Sequence, residues 1–259
     1  GGNSNGSWNT SIGHHSMLVH DGGLRNVAIG AFAMDDTDAG ATSAASDDCV
    51  FIGYSAGGGT WANQDCSNMI GIGTSALGGA LEGNTADGSI AIGKEALTSL
   101  TSGEGNTAIG FESMIYQTDG DKNTTLGYKA FRTSDNGESD NVVIGYQSGL
   151  SQNHASTDRN VFIGSEACIG GTGARTDSIA IGYRAWGNGG SANNIGGSEN
   201  IFIGSLSGGG TWATAASDQN TAVGYQTMAG AMNGAAFNSA FGFEALKALT
   251  TGDHNTALG

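Results

Sequence analysis

The sequence predicts an all-β protein, a parallel β-solenoid of about 14 rungs, and three observations lead to this fold class. A short motif that ends in an apolar residue and glycine recurs 14 times, at intervals of 17 to 23 residues. The residues before this glycine are β-branched or aliphatic at alternate positions, as in a short strand. The 259 residues include 47 Gly but no Pro, and Pro would remove a hydrogen-bond donor from an interior strand.

The glycine that ends each motif, here called the corner glycine, predicts a tight turn with positive φ after every strand. Collagen is excluded because it requires glycine at every third residue and abundant proline. A disordered linker is excluded because 38% of the residues are hydrophobic. The corner glycines are Gly13, Gly30, Gly53, Gly73, Gly93, Gly110, Gly127, Gly145, Gly164, Gly182, Gly204, Gly224, Gly242 and Gly259.

An asparagine precedes the corner glycine by four residues in 10 of the 14 copies. When equivalent strands stack on one another, these side chains come into line and can form amide ladders. We therefore expect the asparagines to be structural. They are Asn9, Asn26, Asn106, Asn123, Asn141, Asn160, Asn200, Asn220, Asn238 and Asn255.

The strand residues predict burial on both faces of the sheet. The column between the two β-branched and aliphatic columns consists of small, aliphatic or aromatic residues and carries no charge. A sheet with one face in water would instead alternate apolar with polar residues. We expect one face to lie inside the subunit and the other against a neighbouring chain.

Composition limits the classes of partner. A net charge of −15 argues against electrostatic binding to nucleic acid or to an anionic membrane, since both require a basic surface. No apolar run approaches the roughly 20 residues needed to span a bilayer, so we expect no membrane insertion by this segment. We interpret residues 1–259 as a single continuous repeat region, an excerpt of a longer fibre.

Few residues suggest a ligand site, and no catalytic, cofactor-binding or metal-ligating set is predicted. Trp61 and Trp212 occupy matched Gly-Gly-Gly-Thr-Trp-Ala connectors. They could contact a sugar ring from an exposed loop, or fold down to cover the solenoid. Acidic connectors such as Asp119-Gly-Asp121 leave structural calcium possible, although none has the spacing of a known calcium loop.

The repeat unit resembles the head repeats of trimeric autotransporter adhesins. It is also similar to repeats in phage tail fibres and related bacterial surface proteins. The similarity rests on Asn106-Thr-Ala-Ile-Gly-Phe-Glu-Ser-Met114 and its equivalents beginning at Asn220 and Ser89. The resemblance implies a left-handed parallel β-roll, assembled as a homotrimer and located outside the cell, on a virion or a bacterial surface. It also implies a host-surface glycan or protein receptor as partner.

The function expected from these observations is that of a structural and adhesive fibre segment, not an enzyme. The alternative is a polysaccharide-degrading β-helix of the tailspike type, which needs clustered carboxylates on adjacent rungs. Glu95 and Glu112 occupy the same column in successive units, but Lys129 follows them. This alternative therefore stays open at the level of sequence.

Overall fold

The computed structural model describes residues 6–20, 22–37, 46–61, 66–81, 86–134, 137–151, 157–171, 173–187, 196–212 and 215–259. Within these ranges the chain forms short β-strands joined by turns, and it contains no helix. It is a parallel β-solenoid of about 12 turns, which confirms the all-β, parallel β-solenoid class; the count of about 14 rungs and the left-handed β-roll type stay predictions. Two compact units divide the chain, residues 1–126 and residues 127–259.

The first unit contains a parallel sheet whose strands each correspond to one sequence motif. Every strand pairs in register with the equivalent residues of the next motif. The strands are β1 (Thr10–Ile12), β2 (Val27–Ile29), β3 (Val50–Ile52), β4 (Ile70–Ile72), β5 (Ile90–Ile92), β6 (Thr107–Ile109) and β7 (Thr124–Leu126).

The second unit repeats this arrangement and adds a short two-stranded sheet. Its main sheet again pairs equivalent motif residues in parallel. The main strands are β8 (Val142–Ile144), β10 (Val161–Ile163), β12 (Ile179–Ile181), β13 (Ile201–Ile203), β14 (Thr221–Val223), β15 (Ser239–Phe241) and β16 (Thr256–Leu258). The added sheet pairs β9 (Thr157–Asp158) with β11 (Arg175–Thr176).

The corner glycines have the positive φ that the sequence predicts, between +111° and +147°. The stacking leaves no room for a side chain at most of these corners. A Cβ on Gly145, for example, would strike the carbonyl oxygen of Gly164, the corner glycine of the next rung. Glycine is therefore required both by the backbone conformation and by the close approach of successive rungs.

Many non-glycine residues also adopt left-handed backbone angles, which the sequence did not predict. They occupy fixed columns, one of them two residues after the corner glycine, as at Glu95 (φ 59°) and Arg184 (φ 50°). In this column the N–H donates to a carbonyl of the preceding rung, as Arg184 does to Ser165 at 3.1 Å, whereas the left-handed residues four after the corner glycine donate to the following rung, as Met228 does to Ala245 at 3.0 Å. The repeated hydrogen bonding between rungs offsets the intrinsic cost of this conformation in L-residues.

Inward-facing side chains fill the interior of each rung in a compensating way. The central strand residue and the residue four after the corner glycine both point inward, and a large residue at one position accompanies a small residue at the other. Ala222 is matched by Met228, whereas Phe202 is matched by Gly208, and all of these are buried. A Cβ on Gly208 would lie 2.6 Å from the Phe202 ring, so the glycine provides the space that the phenyl group fills.

Candidate functional site

The repeated asparagines form buried amide ladders. In the second unit the Asn220 side-chain nitrogen donates to the Asn200 Oδ1 at 3.2 Å and to the Ala235 carbonyl at 2.8 Å. The Asn220 Oδ1 in turn accepts from the backbone and side-chain N–H groups of Asn238, at 3.1 and 3.0 Å. In the first unit, Asn123 and Asn106 repeat the amide-to-amide bond at 3.1 Å. Each amide thus links successive rungs in the interior, where an unpaired polar group would be costly.

A second polar column, of aspartates, was missed by the sequence reasoning. These residues stand two before the asparagine column, and each accepts a hydrogen bond from a backbone N–H of the preceding rung. The distances from the donor nitrogens are 2.7 to 2.9 Å. The acceptors are Asp47, Asp87, Asp121, Asp158, Asp218 and Asp253. The recurrence of Asp at one offset was the sequence signal that could have identified them.

Replacing one of these aspartates tests the backbone hydrogen bond. We expect Asp218→Ala to lower the free energy of unfolding by about 1 kcal/mol, because the Ser198 N–H loses its acceptor at 2.8 Å. Asp218→Asn keeps an acceptor oxygen in place and is the matched control. The measurement is urea unfolding followed by circular dichroism. Equal losses in the two variants would contradict the assignment.

The outward face of each sheet is apolar and half-exposed, in contrast to the buried central column. In the second unit the face includes Val161 and Ile163 on β10, and Ile179 and Ile181 on β12. No charged residue occupies its two columns. Single exposed apolar residues are ordinary on a soluble protein, but a contiguous patch of this kind indicates an interaction surface.

A column of mostly aromatic residues, here called the tyrosine column, follows the corner glycines of the second unit. Backbone hydrogen bonds show which residues of the column are neighbours. The carbonyl oxygen of each column residue accepts from the backbone N–H of the residue that comes directly after the next column residue, at 2.8 to 3.1 Å. Tyr128 stacks on Tyr146, and Tyr225 stacks on Phe243, with ring centroids 5.5 Å apart in both pairs. The column runs Tyr128, Tyr146, Ser165, Tyr183, Ser205, Tyr225, Phe243.

Exposed ion pairs join neighbouring rungs at the edge of the solenoid. The guanidinium of Arg25 donates two hydrogen bonds to Asp48, at 2.6 and 2.7 Å, and Arg159 does the same to Asp177 at 2.7 and 2.9 Å. The hydrogen bonds from the arginines, with their charge, lower the pKa values of Asp48 and Asp177. Any stabilisation from these pairs is complete above the unfolded-state pKa and is lost as the pH falls through the folded-state pKa. Water screens such exposed pairs, so their contribution is small.

The three cysteines are buried free thiols. Burial raises the pKa of the Cys49 thiol to about 12 and that of the Cys168 thiol to about 11. Both groups are therefore protonated at neutral pH, and a thiol in that state is a poor nucleophile. Cys49 and Cys168 are therefore small core residues.

Of the two alternatives for Trp61 and Trp212, contact with a sugar from an exposed loop or folding down onto the solenoid, the structure shows the second. Both indoles are completely buried, and their rings pack against Phe51 and Phe202, with centroids 5.6 and 5.5 Å apart. The preceding glycines allow the connector to approach the neighbouring rung closely, so that the tryptophan turns back onto the core. The tryptophans of the two matched connectors therefore cover the core of the solenoid.

The contacts of the two sequence-predicted carboxylates involve Lys94, and no metal cluster emerges from the described ranges. Glu95 forms an ion pair with Lys94 at 3.2 Å, and the Glu112 backbone N–H donates to the Lys94 carbonyl at 2.9 Å. Among the described residues, no three His, Cys, Asp or Glu side chains group in a way that could hold a metal ion. The Oδ1 of Asp121, a sequence candidate for calcium, accepts the Glu104 N–H at 2.9 Å. Structural calcium stays a prediction.

Comparison with known proteins identifies no relative of this chain, so its class is assigned from its fold and its surfaces. No protein-family model, no curated protein and no solved structure matches this chain. None of the described residues belongs to a helix that could cross a membrane. By its fold the chain is a β-solenoid repeat protein, with one apolar sheet face on each unit and an exposed aromatic column on the second.

Proposed function

We propose that the chain is a structural and adhesive fibre segment that assembles as a homotrimer through the outward sheet faces. The observation that carries this proposal is the uncharged, half-exposed face of Val, Ile and Thr residues. Burying such a face against protein releases its water, and the gain is about 25 cal/mol per Å² of apolar surface. The proposed location is extracellular, on a phage tail fibre or a bacterial surface.

A second and a third copy of this chain are the occupants that suit the face. The same β-branched side chains recur at each rung, so two copies present matching flat surfaces along their length. When identical copies are related by rotation about a common axis, their contacts form a closed ring with a fixed number of subunits. The number three comes from the resemblance of the repeat to trimeric adhesin heads. The receptor in this proposal is a host-surface glycan or protein.

Light scattering coupled to size-exclusion chromatography tests the assembly. We expect wild-type protein to have the mass of three chains. Ile181→Glu should shift the mass to one chain, because a buried carboxylate at the centre of the face has no cation to pair with. Ala248→Glu adds the same charge at an exposed turn position outside the strands and should leave the trimer intact. A stable wild-type monomer would rule out the proposed assembly.

A further inference from the structure

We propose that Asn233 is a site of covalent self-modification, at which the folded protein slowly converts asparagine into aspartate and isoaspartate. Asn233 precedes Gly234, and the reaction is least hindered before glycine, which has no side chain beside the attacking nitrogen. The sequence contains four Asn-Gly pairs, and the asparagines of the other three lie outside the described residues. The inference is independent of the proposed assembly and of its receptor.

The conversion needs water as its only co-reactant. The backbone nitrogen of Gly234 loses its proton and attacks Cγ of Asn233, the side-chain nitrogen leaves as ammonia, and a five-membered succinimide ring results. Water then opens the ring at one of its two carbonyl carbons. Opening at the side-chain carbonyl gives aspartate, and opening at the main-chain carbonyl gives isoaspartate, in which the main chain runs through the side chain. No oxidant or reductant takes part.

The surroundings of the pair permit this reaction in the folded chain. Asn233 is exposed and Gly234 is partly exposed, in the connector between β14 and β15. No described residue accepts a hydrogen bond from the Gly234 N–H. A Cβ on Gly234 would meet only the Cβ of Ala215, at an ordinary contact distance of 3.6 Å. The attacking nitrogen is therefore neither held by a described acceptor nor crowded by the neighbouring rung.

The asparagines of the ladder are in the opposite situation. Asn238 has no solvent exposure, and its side-chain nitrogen donates to the Asn220 Oδ1 at 3.0 Å and to the Gly252 carbonyl at 2.8 Å. The nitrogen that would attack it, that of Ser239, donates to the Asn255 carbonyl at 2.8 Å. The ladder must open locally before Asn238 can react, and this opening costs free energy. The fold therefore protects the ladder and leaves Asn233 open to reaction.

The modification would change the rung as well as its charge. Met232 before the site and Ala235 after it are both completely buried, and the Ala235 carbonyl accepts from the Asn220 side chain at 2.8 Å. The Asn233 N–H also donates to the Thr250 carbonyl of the next rung, at 2.7 Å. An isoaspartate adds one methylene to the main chain between these anchored residues, and either product adds a carboxylate to a chain of net charge −15.

Tandem mass spectrometry of the native chain, incubated at mildly alkaline pH, tests the inference. We expect conversion at Asn233 to exceed that at Asn238 by about tenfold or more, because only the ladder position must open first. The second readout is methylation by a protein isoaspartyl methyltransferase with labelled S-adenosylmethionine, with the label located by fragmentation. The variant Asn233→Gln is the control, since its longer side chain cannot close the five-membered ring and should leave this segment unlabelled.

The same chain unfolded in urea supplies the rate set by local sequence alone. Native conversion at Asn233 more than about tenfold below that rate would show that the fold protects the pair, and would overturn the proposal. Equal conversion of Asn233 and Asn238 in the native chain would also overturn it, because the reaction would then proceed from an opened state. Label that persists at this segment in Asn233→Gln would assign the modification to another residue and reject the site.

Discussion

Asn220→Asp is expected to lower the free energy of unfolding by about 4 kcal/mol at pH 7, one of the two largest effects predicted for this protein. The side-chain nitrogen of Asn220 donates to three oxygens, those of Asn200, Asp218 and Ala235. A carboxylate of the same shape would oppose these acceptors with a second oxygen, in a position with no solvent exposure. Urea unfolding at pH 7 measures the loss.

The pH dependence of this variant has a defined sign. Burial among oxygens raises the folded-state pKa of the introduced carboxyl above its unfolded value. The destabilisation is therefore complete above the folded-state pKa and is relieved as the pH falls below it. We expect a smaller difference from wild type at pH 4 than at pH 7. Ala248→Glu, which adds a carboxylate at an exposed turn residue, should show neither effect, and coincident unfolding curves for the two variants would contradict the buried ladder.

Gly208→Leu is expected to lower the free energy of unfolding by about 3 kcal/mol, because the new side chain overlaps the Phe202 ring. Phe202→Ala alone should cost about 4 kcal/mol through the cavity that it leaves. The double variant restores the combination of Ala222 and Met228 in the next rung, a small strand residue with a long aliphatic one. It should lie within about 1 kcal/mol of wild type.

A double-mutant cycle by thermal or urea unfolding measures this coupling. Additive losses would show that the two positions do not share interior volume. The equivalent pair in the first unit, Phe51 and Gly57, provides an independent repeat, since a Cβ on Gly57 would also lie 2.6 Å from a phenyl ring. Agreement between the two cycles would establish volume compensation as a property of the repeat.

The sequence was sufficient for those features that recur in one column. The period alone located the strands, the corner at Gly145 and the amide ladder at Asn220, because parallel stacking brings equivalent residues together. The burial of Trp212 depends on two columns at once, the central strand residue and the residue four after the corner glycine. The interior can accept the indole only with the combination found here, Phe202 with Gly208. No single-column pattern carries that information.

Two other features escaped prediction for a different physical reason. The left-handed conformation of Glu95 and Arg184 contradicts the intrinsic preference of L-residues, and the backbone bonds between rungs override that preference. Asp218 lies outside the strand motif from which the fold was predicted, although its side chain completes the hydrogen bonding of another rung. The trimer, the receptor and the extracellular location stay predictions.

The balance of large and small residues inside each rung has a consequence for how such a chain can change its length. Phe202 is accommodated by a glycine of its own rung, whereas Phe51 also needs the space left by Gly71 of the next rung, so rungs can be gained or lost without a mismatch when they are exchanged in blocks that keep such pairs together. Unequal recombination between gene repeats would therefore preserve a well-packed interior. The near-identical segments beginning at Phe51 and Phe202 have the appearance expected of such a duplication.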